Sequence, residues 1–313
     1  MKKYAFGVDI GGTTIKMGFF ETSGKMLDKW EIKTNTENNG ASILEDVARA
    51  VDNKLAQESI SKNDVQGIGI GVPGPVMADG TVNKCVNLGW GVFNVAEQLQ
   101  NLSGLSVKVG NDANVAALGE MWQGGGKGFT DVVMVTLGTG VGGGIIIGGK
   151  MVSGATGAGG EIGHVMVNED EIELCGCGKC GCLEQYASAT GIVRIAKRKL
   201  ATTNAETSLR NFDELTAKDV FDEAKAGDAV AVGLVDEVGK ILGTALANIA
   251  CVVNPQAFVI GGGVSKAGKI LTDNIEKYYV ERTFHACRGA KFELASLGND
   301  AGMYGCVRML IED

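Results

Sequence analysis

The sequence predicts an α/β protein made of two similar halves that face one another across a cleft. Strand-like and helix-like runs alternate along the chain, and glycine is abundant (48 of 313 residues) while proline is scarce (3). The glycines cluster at the ends of strand-like runs, where backbone can approach a ligand, and they lack the strict period of collagen. Three segments also recur in the same order. VDIGGTTIKMGFF at 8–20 is echoed by VTLGTGVGGGIII at 135–147, GIGIGVPG at 67–74 by FVIGGGVS at 258–265, and NDANVAALG at 111–119 by NDAGMYG at 299–305. Such a triple echo predicts a duplication, which sets the paired glycine turns of the two halves across one cleft.

The elements follow in order. Residues 4–10 (YAFGVDI) read as a buried strand, 11–14 as a Gly-Gly-Thr-Thr turn, 14–20 and 26–33 as further strands. Ile43, Leu44, Val47, Val51 and Leu55 recur at helical spacing and predict a helix over 41–58. Residues 65–72 and 105–110 read as strands, and Asn111-Asp112 opens a helix over 111–122. GGGKG at 124–128 then breaks the chain. Beyond it lie strands at 132–137 and 145–147 around a glycine turn, and helices at 183–200 and 228–251. Thr216-x-x-Asp219 is a capping box for a shorter helix. Strand 257–260 runs into Gly261-Gly262-Gly263, and strand 291–297 leads to helix 300–311. The expected domains are 1–122, smaller and completed by the C-terminal segment 300–313, and 123–299, larger and holding a metal site.

Composition narrows the function. A net charge of −8, from 37 acidic and 29 basic residues, argues against a nucleic-acid partner. Aromatic residues make up 6%, too few for a base-stacking platform. No apolar run reaches the roughly 18 residues of a membrane span. The N-terminus lacks an apolar stretch with a cleavage site, so a cytoplasmic protein is expected. Of 8 cysteines, four lie within 175–182, and the expected use is metal binding rather than disulfides.

Three constellations carry chemistry. Gly138-x-Gly140-x-x-Gly143 matches the dinucleotide fingerprint, but Ile145, Ile146 and Ile147 follow where a helix should begin. The reading that survives is a hairpin turn whose backbone N–H groups hold phosphate oxygens. Asp9 ends the first strand beside the turn Gly11, Gly12, Thr13 and Thr14, where a carboxylate can hold Mg²⁺ through water. The competing role for Asp9 is to cap the turn. His164, Cys175, Cys177, Cys180 and Cys182 offer five ligands for tetrahedral Zn²⁺, and spacing alone does not say which cysteine is left out. His285 reads as a structural histidine. Asn111, Asp112, Glu161 and Glu184 form the third set, acceptors suited to a polyhydroxylated ligand, with the zinc site holding Glu161 and Glu184 near each other. Asp112 has a competing role as a helix N-cap, and Asp300 is expected to be only that.

Asp9-Ile10-Gly11-Gly12-Thr13, Leu137-Gly138-Thr139-Gly140, Glu161-Ile162-Gly163-His164 and Cys175-x-Cys177-Gly178-x-x-Gly181-Cys182-x-Glu184 together resemble the ROK family of sugar kinases and repressors. The resemblance runs along essentially the whole chain, and the last two motifs are its most specific part. Val86-Asn87-Leu88-Gly89-Trp90 and Ala187-Ser188-Ala189-Thr190-Gly191 are similar to the family's bacterial glucokinases, especially those of Gram-positive bacteria. The resemblance implies an actin-like (ribonuclease H-like) fold and phosphorylation of D-glucose by MgATP. It implies structural zinc on His164, Cys175, Cys177 and Cys182, with Cys180 the odd one out. It also implies sugar contacts from Asn87, Asn111, Asp112, Glu161, His164 and Glu184, ATP contacts from 11–14, Gly138, Thr139, Gly140, Gly262 and Gly263, and Asp112 as catalytic base. A homo-oligomer, dimer or tetramer, is implied as well. The rival readings are a kinase for mannose, fructose or N-acetylmannosamine, and a sugar-responsive repressor. The repressor needs a DNA-binding module of roughly 60–80 residues, whereas here the first strand begins by residue 4.

Overall fold

The computed structural model describes residues 2–311. Its strands are β1 (Tyr4–Ile10), β2 (Thr14–Glu21), β3 (Met26–Lys33), β4 (Val65–Val72), β5 (Thr81–Cys85), β6 (Trp90–Asn94), β7 (Val107–Asn111), β8 (Val132–Leu137), β9 (Val141–Ile147), β10 (Lys150–Met151), β11 (Ala257–Gly261) and β12 (Lys291–Leu294). They form two five-stranded sheets, ordered β3-β2-β1-β4-β7 and β10-β9-β8-β11-β12, and the hairpin β5-β6. In the first sheet β1 pairs antiparallel with β2 and parallel with β4. In the second, β11 pairs parallel with both β8 and β12. The first two echoed pairs therefore occupy matching sheet positions, and the third pair opens helices. The two Gly/Thr turns join β1 to β2 and β8 to β9, and the second pair of echoed segments lies on β4 and β11.

The chain divides into two compact units, Met1–Thr130 with Gly144–Gly160 and Leu297–Asp313, and Asp131–Gly143 with Glu161–Ser296. Residues 123–130, 144–160 and 297–299, expected in the second domain, thus lie in the first unit. The physical reason is the helix Asp112–Gln123. Its fully buried Glu120 accepts from Gly125 N and Leu297 N, both at 2.8 Å. A methyl group at Gly144 would sit 2.5 Å from Ala117 of the same helix, so that stretch of backbone lies flat on it.

In the first unit, Phe6, Val8, Ile68 and Ile70 pack on the apolar face of helix Ile43–Glu58 through Ile43, Val47, Val51 and Leu55. On the opposite face of the sheet, Ala5 and Phe20 meet Met303, Val307 and Leu310 of helix Ala301–Leu310. That helix comes very close to the sheet: a Cβ at Gly69 would lie 1.8 Å from the Cys306 carbonyl oxygen. Glycine within strands here permits close layer packing. Asp300 departs from expectation. It has helical dihedrals and makes no side-chain capping bond, and its carboxylate instead accepts from Lys29 Nζ at 2.7 Å.

In the second unit the 25-residue helix Ala229–Val253 packs on Lys269–Arg282, and Phe258, Tyr279 and Phe292 form an aromatic cluster beside them. The Thr216–Asp219 capping box is present. The helix expected at 183–200 is two helices, Glu184–Ala187 and Ala189–Thr202, separated by Ser188, whose extended backbone and hydroxyl start the second. The hairpin β5-β6 and helices Val95–Ser103 and Lys269–Arg282 were not foreseen from sequence. Among the described residues, no helix is long and apolar enough to cross a membrane.

Candidate active site and metal cluster

Both Gly/Thr turns are tight and tied into the fold. In the first, Gly11 N donates to Thr14 O at 2.9 Å. Asp9 stands at the end of β1, with Lys16 Nζ 3.6 Å from its carboxylate. Burial nevertheless raises the Asp9 carboxyl above its ordinary value, and Lys16 only partly opposes this. In the second turn, Gly138 N donates to Gly140 O at 3.0 Å, and the chain continues as strand β9, which excludes a dinucleotide fold there. Gly262 follows β11 with φ +82°, and a Cβ there would sit 2.5 Å from the Leu137 carbonyl oxygen. Only glycine fits that position. Gly263 then lines a cavity of about 300 Å³ with Ala189, Phe221, Val264, Lys218 and Lys266.

The N-cap of helix Asp112–Gln123 is Asn111, not Asp112. Asn111 Oδ1 accepts from Ala113 N and Asn114 N at 3.1 and 3.2 Å. Its Nδ2 donates to Gly74 O at 3.1 Å and to Asp112 Oδ1 at 3.0 Å, so both ends of the amide are engaged within the fold. Asp112 occupies the first helical position, where the helix dipole favours a carboxylate and Ala113 N donates to it at 2.8 Å. Asn87 is exposed on the turn Val86–Leu88, after the hairpin strand β5.

His164, Cys175, Cys177 and Cys182 place one donor atom each within 4.8 Å of all the others, and Cys180 is outside this group. Cys177 Sγ lies 3.6 Å from Cys182 Sγ, and Cys175 Sγ 3.7 Å from His164 Nδ1. Donors about 2.3 Å from a tetrahedral ion lie about 3.8 Å apart, so the geometry fits zinc. Burial pushes the Cys175 thiol up to about 12, so a thiolate there requires a cation beside it. His164 turns Nε2 the other way, 3.9 Å from Glu161 Oε2. Glu184 Oε1 accepts from Cys175 Sγ at 2.8 Å. Thr139, Gly140, Cys175 and Glu184 line one cavity of about 400 Å³, so a phosphate-type turn, the cysteine cluster and a candidate sugar carboxylate share a wall. His285 is exposed, its ring against Phe284.

Sequence reasoning missed what fixes the cysteine loop. The buried Glu171 accepts from Arg198 Nη1, Arg194 Nη2 and Tyr186 Oη at 2.9, 2.9 and 2.6 Å. The Arg198 guanidinium holds its carboxyl far below the usual carboxylate range. The signal was present as Arg194 and Arg198 four residues apart on one helix face, but nothing in the sequence pairs them with an acid 27 residues away.

The model of the ROK family matches residues 5–313. The chain belongs to the ROK family. It is 46% identical over 308 residues to a glucokinase of Halalkalibacterium halodurans, covering 97% of this chain and 93% of the relative. A glucokinase of Streptomyces coelicolor is 37% identical, with 98% of this chain and 97% of the relative covered. Among solved structures, a ROK family glucokinase from Streptomyces griseus in complex with glucose and AMPPNP superimposes with a TM-score of 0.70, at 36% identity, over 98% of each chain. The fold expected from sequence, the actin-like ATPase fold of ROK kinases, is the fold of this chain.

Proposed function

We infer that this ROK protein is an ATP-dependent glucokinase, transferring the γ-phosphoryl group of ATP to the 6-hydroxyl of D-glucose and releasing glucose 6-phosphate and ADP. The observation that carries the reading is identity with glucokinases over nearly the full length of both chains. Asp112 accepts the proton of the 6-hydroxyl, and Asn111 orients the Asp112 carboxylate through its amide. Asn87, Asn111, Glu161, His164 and Glu184 are the candidates for the other sugar hydroxyls. Because phosphoryl transfer has a loose transition state, the protein mainly positions groups and stabilises charge. The turns at 11–14 and 138–140 supply N–H groups to the phosphates. Gly262 and Gly263 border the nucleoside end, which the cavity walled by Phe221 and Val264 accommodates.

Two ions belong to the proposal. Asp9 would hold Mg²⁺ through water, and the ion would supply positive charge to the phosphates. Zinc on His164, Cys175, Cys177 and Cys182 is structural, since four protein ligands leave no open position. Nδ1 is the histidine nitrogen on the sulfur side, which leaves Nε2 as the N–H donor toward the sugar. A cytoplasmic homo-oligomer is part of the same reading. Phosphorus NMR of the product made from MgATP and glucose tests it: phosphate on O6 is expected, and phosphate on any other oxygen, or ATP hydrolysis without transfer, rejects it.

A further inference from the structure

We propose that Thr34 and Thr190 are positioning residues for phosphate binding, each bracing one of the two Gly/Thr turns; the inference rests on the reading of those turns as phosphate sites. A turn that meets phosphate through its N–H groups must direct its carbonyl oxygens elsewhere, since a lone pair facing a phosphate oxygen repels it. Each unit meets this requirement with the same device. In the first, Thr34 is 4% exposed; its hydroxyl donates to Gly11 O at 2.7 Å and its backbone N–H to Thr13 O at 3.0 Å. In the second, the Thr190 hydroxyl donates to Thr139 O at 2.7 Å, and the neighbouring Ala189 N donates to Gly138 O at 2.8 Å. With the bond inside each turn, the carbonyls of Gly11, Thr13 and Thr14, and of Gly138, Thr139 and Gly140, are all engaged within the protein.

Neither threonine belongs to the turn it braces. Thr34 follows β3, and Thr190 lies in the first turn of helix Ala189–Thr202. In the second unit the brace reaches further. Ser188 Oγ lies 3.0 Å from Thr190 Oγ1 and 2.6 Å from the Glu184 carbonyl oxygen. With one proton each, Thr190 donates to the phosphate turn and Ser188 to the helix that begins with Glu184, so two hydroxyls at one helix start hold both segments.

The test replaces each hydroxyl with a methyl group of similar size, Thr34→Val and Thr190→Val, beside Thr34→Ser and Thr190→Ser, which keep the hydroxyl. Losing one such bond should raise KM for ATP about 3- to 10-fold, with KM for glucose and kcat within about twofold of the parent, and both serine variants should restore KM for ATP. Thr190 is exposed, so its variants fold and carry the test even if Thr34→Val does not. An unchanged KM for ATP in Thr190→Val, glucose and ATP constants rising together, or serine variants as impaired as valine, overturns the bracing role. Gly12→Val separates this from the underlying reading, because a Cβ there meets nothing nearer than Asn87 O at 4.0 Å. If Gly12→Val raises KM for ATP while the valine variants do not, the turns bind phosphate and the bracing role fails. If Gly12→Val leaves KM for ATP unchanged, the phosphate reading itself fails.

Discussion

At the scale of single residues, two carboxylates at helix starts carry opposite expectations. Asp112→Asn keeps shape and hydrogen bonding but removes the base, so kcat should fall roughly 10²–10⁴-fold with glucose still bound, measured by steady-state kinetics with equilibrium binding alongside. Near-normal turnover would reduce Asp112 to a helix-end carboxylate. Asp300→Asn, by contrast, breaks only the partly exposed pair with Lys29 and should leave kcat unchanged. Asp9 gives a pH signature. Its folded-state pKa lies above its unfolded one, so its contribution to stability is full below the unfolded pKa and is lost as pH rises through the folded pKa. Asp9→Asn should therefore melt higher than the parent at pH 7, with the gap closing on acidification, while MgATP use weakens. A lower melting temperature at pH 7 contradicts burial as the dominant effect on Asp9. Asp112 was legible in the sequence because Asn-Asp follows a strand and opens a helix. That Asn111, rather than Asp112, makes the cap was not, because either side chain can reach the free N–H groups of a first turn. Thr34 was invisible for a different reason: its partner Gly11 is 23 residues away, and no local pattern records the bond.

At the scale of elements, the strongly apolar strands and periodic helices could be read directly, and the misses share a cause. β6 (Trp90–Asn94) has no clean alternation, because Gly91 and Val92 are both exposed beside buried Trp90. Helix Lys269–Arg282 buries Leu271, Thr272, Ile275, Tyr278 and Tyr279, a stripe whose threonine and tyrosines obscure its apolar period. The single helix expected at 183–200 breaks because Ser188 satisfies the start of a second helix with its own hydroxyl. The cysteine loop is the element whose chemistry is most exposed to test. Elemental analysis should find one Zn²⁺ per chain. Cys175→Ser, Cys177→Ser and Cys182→Ser should each lose it, because a hydroxyl is a much poorer ligand than a thiolate, and Cys180→Ser should keep it. Chelation should weaken glucose binding, since Glu161 and Glu184 flank His164, and should also raise KM for ATP, since the turn at 138–140 lines the same cavity as Cys175 and Glu184. Loss of metal from Cys180→Ser with retention in Cys175→Ser would reverse the ligand assignment.

At the scale of the whole molecule, the internal echo was the most informative signal, because duplicated segments fall on duplicated sheet positions. The second Asn-Asp segment opens helix Ala301–Leu310, which belongs to the first unit. The helix docks there because Gly7 and Gly69 leave room on the sheet for the backbone of Met303 and Cys306, a complementarity between segments far apart in sequence that only folding brings together. Sugar specificity is likewise a property of the whole, since one hydroxyl's configuration is read by the joint placement of several side chains. The most direct measurement is ADP release in a coupled assay with MgATP over glucose, mannose, fructose and N-acetylmannosamine. The account requires hexose-dependent ADP release with the highest kcat/KM for glucose; no release with any hexose, or a higher value for one of the other three, contradicts it.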